Sequence, residues 1–188
     1  MALAACGGDP TGTNSGDPLD DVEIQALFNA LGGAFSDVDV YGSTAAPSAA
    51  FIDISEDFSG STACPVSGTI AVDGSVDASI NDQTFEGSVD YQMSMDLNEC
   101  VVATEMGNLT VNSAPEVRFT GSFNFAETST SFDVTEVGGF SFDAADGRRG
   151  SCAIDVRVIG EVTATSASQT MTGTVCGRSA SEFVVNVS

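Results

Sequence analysis

The 188-residue chain has no histidine, no lysine and no tryptophan, and its only positive side chains are five arginines, at 118, 148, 149, 157 and 178. Without imidazole there is no Ser-His or Cys-His nucleophile pair and no histidine-ligated metal. Without lysine there is no Schiff-base chemistry and no phosphate-loop lysine. Twenty-seven acids set the formal net charge at −22, which repels nucleic acid and anionic lipid headgroups alike. Long apolar runs are also missing; none approaches the ~18 residues that span a bilayer as a helix. The enzyme chemistries that survive need paired carboxylates or an oxygen-ligated metal.

What is present suits one folded domain. Hydrophobic residues make up 42% of the chain, enough to build a core at this length and too many for wholesale disorder. The acidity reads first as a solvated, self-repelling surface rather than as a site.

The N-terminal segment Leu3-Ala4-Ala5-Cys6 resembles the lipobox of bacterial lipoproteins, where a Leu and two small residues precede an invariant Cys. The resemblance implies that Cys6 receives a diacylglycerol, that residues 1–5 are the end of a signal peptide, and that the cut falls just before Cys6. The charged start and most of the apolar stretch of such a signal are absent from these five residues. Gly7 to Asp17 (GGDPTGTNSGD) carries no apolar side chain, so 6–17 reads as a lipidated Cys on a flexible tether. Gly7 rather than Asp after the Cys resembles the pattern of lipoproteins sorted to the outer membrane. Acyl chains would hold the protein stably, at ~0.8 kcal/mol per buried methylene.

Residues 18–188 read as a single β-rich domain that opens with a helix. Asp17-Pro18 is a helix-start pair. Ile24, Leu27, Phe28, Leu31 and Phe35 recur as one apolar stripe, with Asp20, Asp21 and Glu23 in the first turn, where the helix dipole favours acids. Gly32-Gly33 supplies a stop, which places the helix at about 18–31.

From residue 50 onward the period is two. Val66, Gly68, Ile70, Val72, Gly74, Val76, Ala78 and Ile80 alternate with polar residues, as do Phe85, Gly87, Val89, Tyr91, Met93, Met95 and Leu97. The pattern returns at Val117–Phe125, Phe140–Phe142, Ile154–Val158, Met171–Val175 and Phe183–Val187, with Asp146-Gly147 as a hairpin turn. Long strands with one wet face are antiparallel material. The expected fold is mostly β: a curved antiparallel sheet or partly open barrel of about 8–10 strands wrapped on the N-terminal helix. A β-sandwich is the alternative. Inward glycines at 68, 74, 87, 121 and 173 favour curvature or a closely approaching helix.

Closing the first long hairpin at Asn81-Asp82 pairs residues whose numbers sum to 163, as in Ile70–Met93 and Val72–Tyr91. That register sets Asp73 against Asp90 and Asp77 against Glu86, like-charged rungs that salt or a weakly held divalent cation would relieve. It also sets Cys64 one residue from Cys100. In the later hairpin, pairing Val158 with Met171 sets Cys152 one residue from Cys176. The disulfides expected are therefore Cys64–Cys100 and Cys152–Cys176, in keeping with an oxidising compartment.

Cys64-Pro65-Val66-Ser67-Gly68-Thr69-Ile70 and Gly150-Ser151-Cys152-Ala153-Ile154 are similar to stretches of uncharacterised β-rich envelope lipoproteins of Gram-negative bacteria. The resemblance covers most of the domain and implies no activity.

Other candidate sites are weak. Asp9 to Asp20 lacks the ligand spacing of a calcium loop and its closing Glu. Asp37-Val38-Asp39 reads as the loop leaving the helix. Arg148-Arg149 at a hairpin tip offers bidentate bonds to a carboxylate or an anionic partner. Tyr41 and Tyr91 are too scattered for a sugar platform. No residue is expected to be catalytic and no cofactor is expected. The expected function is a non-catalytic envelope lipoprotein, held at the membrane, with the outer membrane expected, through the lipid on Cys6, which acts as accessory or scaffold or binds an envelope protein or a small apolar ligand. The alternative is a carboxylate-dependent or metal-dependent hydrolase, which needs one desolvated acid beside an ionised one.

Overall fold

A computed structural model describes Leu19 and residues 21–36, 51–104 and 107–183. Helix α1 (Asp21–Ser36) is followed by β1 (Phe51–Ala63), β2 (Ser67–Asn81), β3 (Gly87–Thr104), β4 (Gly107–Ser113), β5 (Val117–Phe125), β6 (Ser129–Ala144), β7 (Arg149–Thr163), β8 (Ala167–Val175) and β9 (Arg178–Ser179). A 3₁₀ turn, Ala180–Phe183, closes the described chain. Cys6, the tether, Asp17-Pro18, Asp37, Asp39 and Tyr41 lie outside the described residues.

All nine strands form one antiparallel sheet in near-sequential order. This is the curved, partly ring-like sheet expected from the alternation, and not a two-sheet sandwich. β1 pairs only with β2, while β8 pairs with β7 and the two-residue β9, so the ring stays open. Asp53, Glu56 and Asp57 on β1 put charge on its free edge, a device that discourages edge-to-edge pairing. β4 and β5 are two parts of one strand position: β4 pairs with the end of β3 and β5 with its beginning. The break falls at Ala114-Pro115, where proline removes a ladder donor.

The helix starts and stops three to five residues later than its sequence signals suggest. It runs through Gly32 and Gly33 to Ser36. Each helical glycine costs about 1 kcal/mol, but packing of the apolar face, not propensity, holds most helices in proteins. Leu19, Ile24, Leu27 and Leu31 are all buried against the sheet. Glu23, expected to serve the helix dipole, is itself buried. It meets Arg148 from the β6–β7 turn, whose guanidinium donates Nη1 to Glu23 Oε2 at 3.0 Å and Nη2 to Oε1. Arg148 also donates Nε to Asp146 Oδ2 at 2.7 Å. Asp146-Gly147 forms the expected turn, with Gly147 at φ +90°. The hairpin tip thus fastens the helix to the sheet.

The two long hairpins treat the expected registers differently. In the later one Ile154 faces Val175, Val156 faces Gly173 and Val158 faces Met171, as read from the sequence. In the first, Ile70 faces Leu97 and Val72 faces Met95, which moves the pairing by four residues. Asn81-Asp82 does not close a two-residue turn. The chain instead loops to Glu86, with Asn81 N donating to Glu86 O and Phe85 held at φ +59°. An even slip leaves every side chain on its expected face, so the apolar stripe survives while the individual rungs change.

Both disulfides are formed, Cys64–Cys100 and Cys152–Cys176. The second joins β7 to the turn after β8, where Cys176 N donates to Ala153 O. The first arises by a different route from the one expected. Cys64 sits in the β1–β2 turn, its N donating to Gly68 O, and the turn lies against the bulge at Glu99, which has φ +46°. Gly68 is obligatory at this crossing: a Cβ there would stand 2.0 Å from Glu99 O. Closing loops of 36 and 24 residues stabilises the fold by about 3–4 kcal/mol each.

The buried core occupies only one end of the strands. Ile70, Val72, Leu97, Val102, Val111, Val117, Phe140, Cys152 and Ile154 form one buried cluster with Leu19, Ile24, Leu27 and Leu31 at the end that carries both disulfides. The opposite, distal end carries the β2–β3, β5–β6 and β7–β8 turns.

Candidate functional site

Pairing registers settle which residues share a face. From the core outward, the inner face continues on β2 through Val76, Ala78 and Ile80, and on β3 through Tyr91 and Val89. It continues on β5 through Phe119, Phe123 and Phe125, and on β6 through Glu136, Val134 and Phe132. Past Val156 it ends on β7 at Val158 and Val162, and on β8 at Met171. These distal residues are partly exposed rather than buried, and Ile54 and Val162 at the margins are 38% and 46% exposed. The face is mostly apolar, yet none of its distal aromatic residues beyond Phe58 and Phe119 packs into the core cluster.

Aromatic rings organise this stretch. Tyr91 and Phe123 stack with centroids 6.0 Å apart; Phe123 lies 6.5 Å from Phe125 and 6.1 Å from Phe132. Three rings lie over the glycine directly opposite them: Phe58 over Gly74, Tyr91 over Gly121 and Phe132 over Gly160. A Cβ at Gly121 or Gly160 would come within 2.3 Å of the ring. Such pairs cover the bare backbone of a strand glycine with a neighbour's side chain.

Two acids interrupt the distal inner face, Glu56 on β1 and Glu136 on β6. Glu136 lies between Phe119 and Val156 in its rung, and burial pushes its carboxyl up to about 7. Among the described residues it has no hydrogen-bond partner. Burial, with the charge of Glu136 as a smaller cause, raises the phenol of Tyr91. Glu136 was legible in principle: Phe132, Val134, Gly138, Phe140 and Phe142 share its parity, so an acid there stands where the alternation demands an apolar side chain.

The outer face gathers the remaining charge. Two open polar hollows of about 440 and 670 Å³ lie on it, the first lined by Asp77, Asp90, Asp133, Arg157 and neighbouring Ser, Thr and Gln residues, the second by Asp57, Asp73, Glu116 and Arg118 among others. Arg157 donates Nε and Nη2 to the carboxylate of Asp133 at 2.9 and 2.5 Å, which holds that acid below its usual range. Arg118 is bound to Glu116, and Arg149 to Asp143. Arg148, expected to offer bonds to a carboxylate, spends them on Glu23 and Asp146.

The register correction undoes both expected acidic rungs and forms a different one. Asp73 faces Ser94, not Asp90, while Asp77 faces Asp90, not Glu86, which lies at the turn. Asp77 also accepts a hydrogen bond from Ser55 Oγ at 2.6 Å. One like-charged rung stands in place of two. Among the described residues no group of three or more Asp, Glu or Cys side chains is placed to hold a metal ion. Glu136 and Asp133 sit on opposite faces of the sheet. No helix among the described residues is long and apolar enough to cross a membrane. No family model, curated protein sequence or solved structure matches the chain.

Proposed function

We propose that this is a non-catalytic, lipid-anchored envelope protein that binds an apolar ligand on the distal half of its inner face. The observation that carries the binding role is the run of partly exposed aromatic side chains, Tyr91, Phe123, Phe125 and Phe132, on a face that the helix covers only at its other end. Soluble monomers rarely leave contiguous apolar surface of this kind without a use, and binding sites are mostly apolar with a few placed polar groups. The outer hollows are the poorer candidates because they are open, polar and internally ion-paired. The anchor rests on the likeness of Leu3-Ala4-Ala5-Cys6 to a lipobox and on the polar tether that follows. The two disulfides suit the oxidising compartment this address implies.

Each half of the proposal has its own test. The neutral probe N-phenyl-1-naphthylamine should brighten on binding the protein, and Phe123→Ser should abolish the signal without unfolding the chain; no binding by the folded protein would dismiss the apolar-ligand role. Intact mass of the protein from its native host should show acylated Cys6 as the first residue. Unmodified Cys6 would dismiss the anchor.

A further inference from the structure

The composition of the distal inner face points to the chemistry of its ligand. The chain holds 27 acids, and strand alternation sends nearly all those of the sheet to the outer face. On the distal inner face, charge is limited to Glu56 at the edge and Glu136 near the middle; no arginine reaches it. A carboxylate among Phe119, Val134 and Val156 is costly to ionise, and a neutral ligand laid over it would raise that cost further. An anionic headgroup would find no basic partner and a like charge. An ammonium group would donate to the carboxylate and remove the penalty.

The rings add a second attraction. Tyr91 lies across Gly121, so its ring extends from β3 toward β6, where Glu136 stands one rung beyond Val134. Tyr91 and Phe132 each lie against a strand glycine, with the Phe123 ring 6.0 and 6.1 Å from theirs, and aromatic faces attract cations as well as hydrocarbon. We infer that this face takes a cationic amphiphile, an apolar body with a basic nitrogen, whose nitrogen pairs with Glu136 while its body lies on the rings of Tyr91, Phe123 and Phe132. The inference rests on the ligand-binding role proposed above and names the class of ligand.

Competition among three ligands of equal chain length tests it. Decylammonium, decanol and decanoate are titrated against protein-bound N-phenyl-1-naphthylamine at about pH 8, where amine and carboxylates are charged. Decylammonium should displace the probe at about tenfold lower concentration than decanol, the effect of one charged hydrogen bond, and decanoate should be the weakest. Glu136→Gln should bring decylammonium to within about twofold of decanol while probe binding persists; Asp77→Asn on the outer face should leave the preference intact. Equal displacement by decanol and decylammonium overturns the inference and leaves the apolar-ligand role standing. A preference that survives Glu136→Gln overturns it too, by assigning the effect to the net charge of the chain. Failure of the probe to bind at all overturns both.

Discussion

The same strands live in two settings. At the proximal end the sheet is one of two layers, with α1 laid on its inner face, Arg148 clamping Glu23, and a disulfide at each side. At the distal end no second layer lies on the same strands among the described residues, and their inner face is mostly apolar and only partly hidden. Phe140 and Phe132 make the contrast concrete. They lie on one strand and one face, eight residues apart, yet Phe140 is 1% exposed and sits in the core while Phe132 lies over Gly160 outside it. Alternation reports which residues share a face. It does not report what covers them, so stability and binding can be carried by different lengths of one strand.

The largest expected difference follows from those two phenylalanines. Phe140→Ala should cost about 3–5 kcal/mol, the range for a fully enclosed aromatic, and Phe132→Ala about 1 kcal/mol, mostly lost ring contacts. Urea melts at constant m-value measure both; equal losses would erase the distinction between the halves.

Next comes the clamp on the helix. Arg148→Ala leaves Glu23, 4% exposed, without its arginine, and should cost about 3 kcal/mol. Replacing both partners, Glu23→Leu with Arg148→Met, should recover most of the loss, because a well-packed apolar pair avoids the desolvation of two charges. A double variant no better than the single would mean that the pair is not the fastening between helix and sheet.

A smaller effect belongs to Glu136 and depends on pH. Its folded value near 7 stands above the ordinary 4.5, so the folded chain binds the proton more tightly than the unfolded one. Stability should therefore fall as pH rises from 4.5 through about 7, and the penalty should be complete above that. Glu136→Gln removes the titration. It should stabilise the protein by about 2–3 kcal/mol at about pH 8 and leave it unchanged at about pH 4. Parallel pH profiles of the two proteins would show that the carboxyl is not desolvated.

Much of this architecture was legible in the sequence because periodicity is a strong signal. The stripe of Ile24, Leu27 and Leu31 found the helix, and the alternation found most strands and their inner face. The late hairpin read correctly because Gly173 and Met171 leave little choice of register. The early hairpin did not: nothing in Asn81-Asp82-Gln83-Thr84-Phe85-Glu86 distinguishes a two-residue turn from the longer loop that forms. Its disulfide was still paired correctly, since the bulge at Glu99 and the β1–β2 turn bring Cys64 to Cys100 by another path. β1 is hidden in the pattern by Glu56, an acid at an apolar parity. Glu136 breaks the rule in the same way, and a search for such breaks would have found both acids of the distal inner face.

Hydroxyl-radical footprinting of the native protein tests the central claim most directly, that one face of this sheet is sealed at one end and open at the other. Tyr91, Phe123, Phe125 and Phe132 should be modified at rates well above those of Met95, Phe140 and Phe142, although Met95 is intrinsically the most reactive of the seven, and saturating decylammonium should protect the first four. Comparable protection of both sets in the free protein would contradict the account, because it would mean that the distal face is covered.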